Sequence, residues 1–289
     1  MKRIAIVSDA HSNIPATTAV FKHIEKNSID YIYSLGDMIG KGPSPSEVVN
    51  IHQDYCNICI LGNWEDFLLH SGVFENPIHY YRNKLSDNQI GFLRSLGYSI
   101  EFYMSGRLIR VFHAHPNSVY QRVFRKALLE SHMEMFLPPT VYDSHFPDKM
   151  ADVVIYGDIH YPYHVKFDGD YFRKHYESLN HSAYKQYEEF ESKKQSLLSL
   201  LEGREIYNTG SIGQPFGSTL ASYIVVEGFL DSKLNADFNI ESVKVPYDNV
   251  LASQIALRSP MYDKDEYSKE ILTGIFRGHS PGSKIIKLL

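Results

Sequence analysis

Cysteine and tryptophan are scarce in this chain of 289 residues, which holds two of the first and one of the second. Two thiols cannot build a disulfide framework, and no second cysteine pair exists to complete a tetrahedral zinc site with Cys56 and Cys59. Their Cys-x-x-Cys spacing leaves a redox or zinc reading beside the plainer one of buried structural thiols, which strand alternation would set on opposite faces. No apolar run approaches the ~20 residues of a membrane-spanning helix, and the apolar part of the segment after Met1-Lys2-Arg3 is too short for a signal peptide, so a cytoplasmic location is expected. Lys/Arg tracts are missing and the formal net charge is −5, which argues against a nucleic acid or a membrane surface as partner. No Pro- or Ser-rich linker divides the chain, and 43% apolar residues suffice for one large core, so residues 1–289 read as a single domain.

What is present is a set of short segments rich in Asp, His, Asn and Gly. They are Ser8-Asp9-Ala10-His11, Gly36-Asp37-Met38-Ile39-Gly40, Gly62-Asn63-Trp64-Glu65, His113-Ala114-His115, Gly157-Asp158-Ile159-His160 and Asn208-Thr209-Gly210-Ser211. Apolar runs of strand type precede several of them: 3–8, 31–35, 57–61 and 107–112. Helical stretches near 15–26 and 45–53 lie between the first three runs, and alternating strand and helix implies parallel order, with ligands gathered beyond the carboxyl ends of the strands. The glycines suit loops that turn sharply beside such a centre. Carboxylates, imidazoles and an amide converging in this way suit a pair of divalent ions about 3.5–4 Å apart, which together serve an in-line displacement at phosphorus. Asp37 is the natural bridging carboxylate.

In these motifs the chain resembles the calcineurin-like metallophosphoesterases. The resemblance implies an α/β fold (α+β in some schemes), a four-layer αββα sandwich of two mixed sheets flanked by helices with the metals at one edge. Matched residue by residue, it implies Asp9, His11, Asp37 and His160 as ligands of one metal, and Asp37, Asn63, His113 and Asp158 as ligands of the other, with Asp37, Asn63 and His113 central to catalysis. Two divalent ions, Mn or Fe, with Mg, Zn or Ni also accommodated, would be the cofactors.

Two positions depart from the family pattern. Position 158 usually holds His, and Asp158 either coordinates as a harder ligand or turns away and leaves the second site weak. Trp64 stands where a His usually protonates the leaving group, and an indole N–H cannot exchange a proton near neutral pH. His115 substitutes as the acid only if the strand delivering His113 stays regular. Without an acid, phosphoanhydrides are favoured over alkyl esters. Together the Gly62, Tyr156-to-His160 and Asn208-to-Phe216 segments look most like the bacterial branch that includes asymmetric diadenosine tetraphosphate hydrolases, with likeness from residue 2 to about 226. The implied partner is thus a small phosphorylated or nucleotide substrate. The alternatives are a broad-specificity phosphodiesterase or phosphatase, and a non-catalytic metal- or nucleotide-binding regulator that kept the fold.

Beyond the motifs, residues 167–203 read as a helical insertion bearing Tyr171, Phe172, Tyr176, Tyr184, Tyr187 and Phe190, either a lid with stacking surfaces or plain interface packing. Arg122 and Arg125, with Lys126, follow the His113 motif; Arg122 or Arg125 holds distal phosphates, or both face solvent. Trp64 and His115 join them as candidate substrate contacts. Late strands are expected between 227 and 245. A helical extension over 247–289, periodic at 250–257 and 264–276, caps the fold or supports a homodimer.

Overall fold

The computed structural model describes residues 1–70, 77–172 and 196–276. Its strands form two five-stranded mixed sheets. In the first, β1 (Lys2–Val7), β2 (Tyr31–Ser34) and β3 (Ile58–Cys59) run parallel, and β9 (Ala221–Gly228) and β10 (Asn239–Val245) join antiparallel on the other side of β1. In the second, β5 (Arg107–Phe112), β6 (Val153–Tyr156) and β8 (Glu205–Asn208) run parallel, edged antiparallel by β4 (Ser99–Met104) and β7 (Tyr163–Lys166).

Strand periodicity decides the layering. Ile4 and Ile6 of β1 face Ile109, Val111, Val153 and Ile155 across the inter-sheet core, while the alternate residues Ala5 and Val7 face outward onto helix α1 (Ile14–Lys26) and helix α2 (Pro45–Tyr55). On the other side Val154, Tyr156 and Ile206 pack under helix α6 (Leu129–Phe136). The result is the expected helix–sheet–sheet–helix sandwich. Helix α1 starts where Asn13 caps it, accepting from the Ala16 N–H at 3.2 Å, with Pro15 in its first turn. Helix α3 (Asn63–His70) follows β3, and α4 (Ile78–Lys84) and α5 (Asp87–Arg94) complete that side.

Three expectations shift. β3 is only two residues long because its run bends into the Ile60–Gly97 bridge. The late strands begin at Ala221, so Tyr223 to Val226 form an interior strand and only β10 falls inside 227–245. Cys56 caps α2 just before the strand, and its thiol neighbours that of Cys59, so the two do not lie on opposite faces. Burial and that neighbour hold the Cys56 thiol well above its ordinary pKa, the opposite of a reactive thiol.

The segments flanking the expected insertion are the antiparallel pair β7–β8, and its ends return to the core at Phe167 and Leu201, both fully buried. Residues 173–195, with Tyr176, Tyr184, Tyr187 and Phe190, lie outside the described residues. The C-terminal extension supplies α7 (Asn249–Arg258) and α8 (Lys264–Thr273), packed together through Ala256, Met261, Tyr267 and Ile271; residues 277–289 again lie outside the description.

Candidate metal centre

The predicted donors converge beyond the carboxyl ends of β1, β2, β3, β5 and β6. Asp9 and His11 follow β1, Asp37 follows β2, Asn63 opens α3, His113 follows β5, and Asp158 and His160 follow β6. Asp9, His11, Asp37, His113, Asp158 and His160 are all buried. Five of them hold the left-handed backbone region: Asp9, His11, Asp37, Asp158 and His160 at φ 56°, 43°, 51°, 60° and 63°. Side chains pay about 1–3 kcal/mol each for such conformations, which persist where the surroundings fix them. The sharp turns are made by these donors together with Gly36, Gly40 and Gly210, at φ 89°, 86° and 72°. Gly62 serves close approach, since a Cβ there would lie 2.2 Å from Asp37 Oδ1.

Two sets of donor atoms emerge, Asp9–His11–His160 and Asp9–Asp37–His113. In the first, His11 Nδ1 bonds the Ile39 carbonyl at 3.2 Å and His160 Nδ1 bonds the Gln214 carbonyl at 2.8 Å. Carbonyls only accept, so each Nδ1 carries the hydrogen and both Nε2 atoms present lone pairs. These lone pairs face each other at 3.0 Å, with Asp9 Oδ1 3.3 Å from His160 and 3.7 Å from His11. Asp9 Oδ1 is itself buried without a hydrogen-bond partner. Lone pairs packed on a carboxylate are satisfied by a cation, so the residues fit a metal.

In the second set His113 Nδ1 donates to the Leu35 carbonyl at 2.9 Å, and Nε2 meets Asn63 Oδ1 at 2.9 Å, Asp37 Oδ1 at 3.6 Å and Asp158 Oδ1 at 3.9 Å. Asp37 also lies 3.6 Å from His11 through its other oxygen, so its two oxygens face the two sets. Asp158 belongs to neither set of converging donor atoms, and Arg122 Nε binds its two oxygens at 3.3 and 3.0 Å. The guanidinium offsets the extra carboxylate charge.

Electrostatics follow from this crowding. Burial alone would raise Asp9, but His160, His113 and His11 outweigh it and lower its pKa. Burial, then Glu65 and Asp9, push Asp37 well above the ordinary carboxylate range. Burial and the His160 ring push His11 well below its ordinary value, whereas for His113 burial is overcome by Asp37, Asp9 and Asp158, which hold it up to about 9.

Several positioning groups escaped the sequence reading. Glu65, wholly buried, accepts the N–H groups of Asp37 at 2.8 Å, Ile39 at 3.1 Å and Gly62 at 3.0 Å, tying the Asp37 loop to α3. Its place three residues after Gly62 is the capping-box spacing, a signal available in the sequence. Gln214 gives its carbonyl to His160 and its amide to Glu270 of α8 at 2.5 Å, a long-range contact with no sequence signal. Ser211 bonds the Asp9 carbonyl at 2.7 Å.

The cleft over the centre is lined by Lys41, Trp64, Arg122, Phe124, Tyr161, Phe216 and Phe276 besides the donors. Trp64 and Arg122 therefore stand at the cleft. His115 does not line it: the chain leaves regular strand after Phe112, and the His115 ring turns to Glu134, 3.7 Å away. Arg125 is exposed and outside the lining; its charge acts on Tyr163 and Tyr171 instead.

Comparison with known proteins agrees with this geometry. The chain is 27% identical over 263 residues to the uncharacterized protein MJ0912 of Methanocaldococcus jannaschii, covering 85% of this chain and 88% of that one. In fold it is similar to a metallophosphoesterase from Sphaerobacter thermophilus (TM-score 0.66, 20% identity, 95% and 99% of the two chains covered). It is also similar to the hypothetical protein PH1004 from Pyrococcus horikoshii OT3 (TM-score 0.67, 16% identity, 96% and 100% covered). Residues 2–162, more than half the chain and all seven predicted donors, match the family described as calcineurin-like phosphoesterase; the chain belongs to that family of metal-dependent hydrolases.

Proposed function

We propose that the chain hydrolyses a phosphoanhydride bond, with dinucleoside polyphosphates such as diadenosine tetraphosphate as the substrate class and asymmetric cleavage as the outcome. One observation carries the reading: among the described residues lining the cleft, no imidazole or carboxyl group lies outside the donor set. Trp64 has only an indole N–H, Lys41 and Arg122 are strong bases, and burial pushes the Tyr161 phenol above its ordinary value. An alkoxide would leave poorly from such a site. A nucleotide leaves readily, because its phosphate is already a stable anion.

Divalent ions would be held by Asp9, His11, Asp37 and His160 and by Asp37, Asn63, His113 and Asp158, and would supply Lewis acidity and an activated water. The chain's own groups do the rest. The Trp64 N–H, 2.8 Å from Asp37 Oδ1, aims the shared carboxylate, a task any residue at that position performs through its backbone. Arg122, anchored on Asp158, places a cation at the cleft for phosphoryl oxygens, and Arg suits that geometry.

Incubating metal-stripped protein with diadenosine tetraphosphate, with and without Mn, and separating products by ion exchange tests the proposal. Metal-dependent formation of ATP plus AMP is expected. Two ADP would overturn asymmetry, and faster turnover of alkyl phosphates would overturn the anhydride reading.

A further inference from the structure

Lys41 sits between two rings, its Nζ 5.4 Å from the centroid of Trp64 and 5.9 Å from that of Phe276. With those two rings it lines both the cleft over the metal centre and an adjoining hollow, whose remaining walls are Pro77, Tyr81, Tyr262 and Asp263. The loop is shaped to this arrangement. Lys41 takes φ 60°, a conformation long side chains rarely adopt, next to Gly40 at 86°. A Cβ on Gly40 would come 2.2 Å from Trp64 Cδ2, so the indole lies flat on the bare backbone. Trp64 is fixed from the other side by Tyr81, edge-to-face at 5.6 Å.

A cation beside the metal centre, followed by aromatic walls and then a carboxylate, is the order of groups that a nucleoside polyphosphate presents in reverse. We infer that the two hollows form one channel in which Lys41, held beside Trp64, takes a phosphate oxygen beyond the reacting phosphoryl group, while Tyr262 and Phe276 take the nucleobase. Asp263 then accepts from a base amine or a ribose hydroxyl. The inference rests on the hydrolase reading of the metal centre and adds where the remainder of the substrate lies. Base–aromatic stacking tolerates any base, so the subsite selects for a ring joined to phosphates and not for a particular base.

Trp64 is the only tryptophan of the chain, so its fluorescence reports on the channel directly. The full-length protein, with magnesium present, is titrated with α,β-methylene-ADP, whose bridging carbon resists hydrolysis, and with methylenediphosphonate, the same phosphate chain without a nucleoside. Saturable quenching by the nucleotide is expected, with the diphosphonate bound at least tenfold more weakly. Lys41→Met should weaken nucleotide binding tenfold or more, Lys41→Arg should restore most of it, and Tyr262→Ala should weaken nucleotide binding without altering that of the diphosphonate. Equal affinities for the two compounds, or wild-type nucleotide binding by Lys41→Met, would overturn the subsite. Saturable quenching in a protein that hydrolyses no phosphorylated compound would leave the subsite standing and sink the hydrolase reading; nucleotide turnover with unchanged fluorescence would do the reverse.

Discussion

The two halves of the metal centre are backed differently. Around Asp9, His11 and His160 the support is main chain: carbonyls of Ile39 and Gln214 fix the rings, and the Asp158 N–H donates to Asp9 Oδ2 at 3.0 Å. Around Asn63, His113 and Asp158 a side chain with a partly exposed head enters, Arg122 at 54% side-chain exposure on an Asp158 carboxyl that is 3% exposed. Both halves reach the cleft, the first through His11 and His160 and the second through Asp158, but only the second brings a side-chain cation with it. Holding an ion needs only buried lone pairs with fixed tautomers, whereas meeting a substrate needs charge that solvent and ligand can reach.

Asp37 turns one carboxylate oxygen toward His11 and the other toward His113, so its removal should break the comparison outright. Asp37→Asn is expected to lower turnover of any accepted phosphorylated compound by about 10³-fold or more, since the clamp on the reacting oxygens is worth several kcal/mol. Bound metal, measured by plasma emission, should fall below two ions per chain. Unchanged turnover would end the two-metal account.

The halves should separate under single substitutions. His160→Asn removes a lone pair that nothing nearby replaces and should cost the first ion about 100-fold in affinity, read by calorimetry. Asp158→Asn keeps an oxygen donor but frees Arg122, and should cost the second ion nearer tenfold. If Asp158→Asn leaves metal content and affinity untouched, Asp158 serves only to anchor Arg122, and Arg122→Met should then show the same phenotype as Asp158→Asn.

Legibility in the sequence follows the same division. Strands, the order of motifs and the meeting of Asp9, His11, Asp37, His113 and His160 are readable because apolar runs ending in Gly, Asp or His announce a strand that stops at a polar site. His115 was misleading because strand periodicity cannot reveal that regular pleating ends at Phe112. Arg122 was separable from Arg125 only in three dimensions, through the Asp158 carboxylate 36 residues on. Glu65 had a local signature, the capping spacing, while Gln214–Glu270 joins residues 56 apart and leaves no local trace.

pH should sharpen the contrast more gently. Neighbouring carboxylates hold His113 up to about 9, and an ion binds the imidazole only without its proton. Apparent affinity of the second half should therefore rise by roughly tenfold per pH unit between 7 and 9 and level off above. His11 is held well below its ordinary value and carries no proton to displace in that window, so the first half should rise less steeply than the second. Calorimetry in buffers of different ionisation enthalpy counts the protons released; equal release at both sites would contradict the assignment.

The smallest expected effect lies furthest from the ions, at Glu270 on α8. Its carboxylate holds the Gln214 amide, and the Gln214 carbonyl orients His160. Glu270→Gln keeps the shape and removes the charge of one hydrogen bond. Gln214 keeps a second anchor, its own N–H on the Ser211 hydroxyl at 2.8 Å, so the carbonyl should barely move. First-ion affinity is expected to fall less than about tenfold, below the range for groups that touch a ligand directly. A larger fall would mean that the C-terminal helices, which pack outside the two sheets, hold the His160 half of the centre in place as firmly as the strands do.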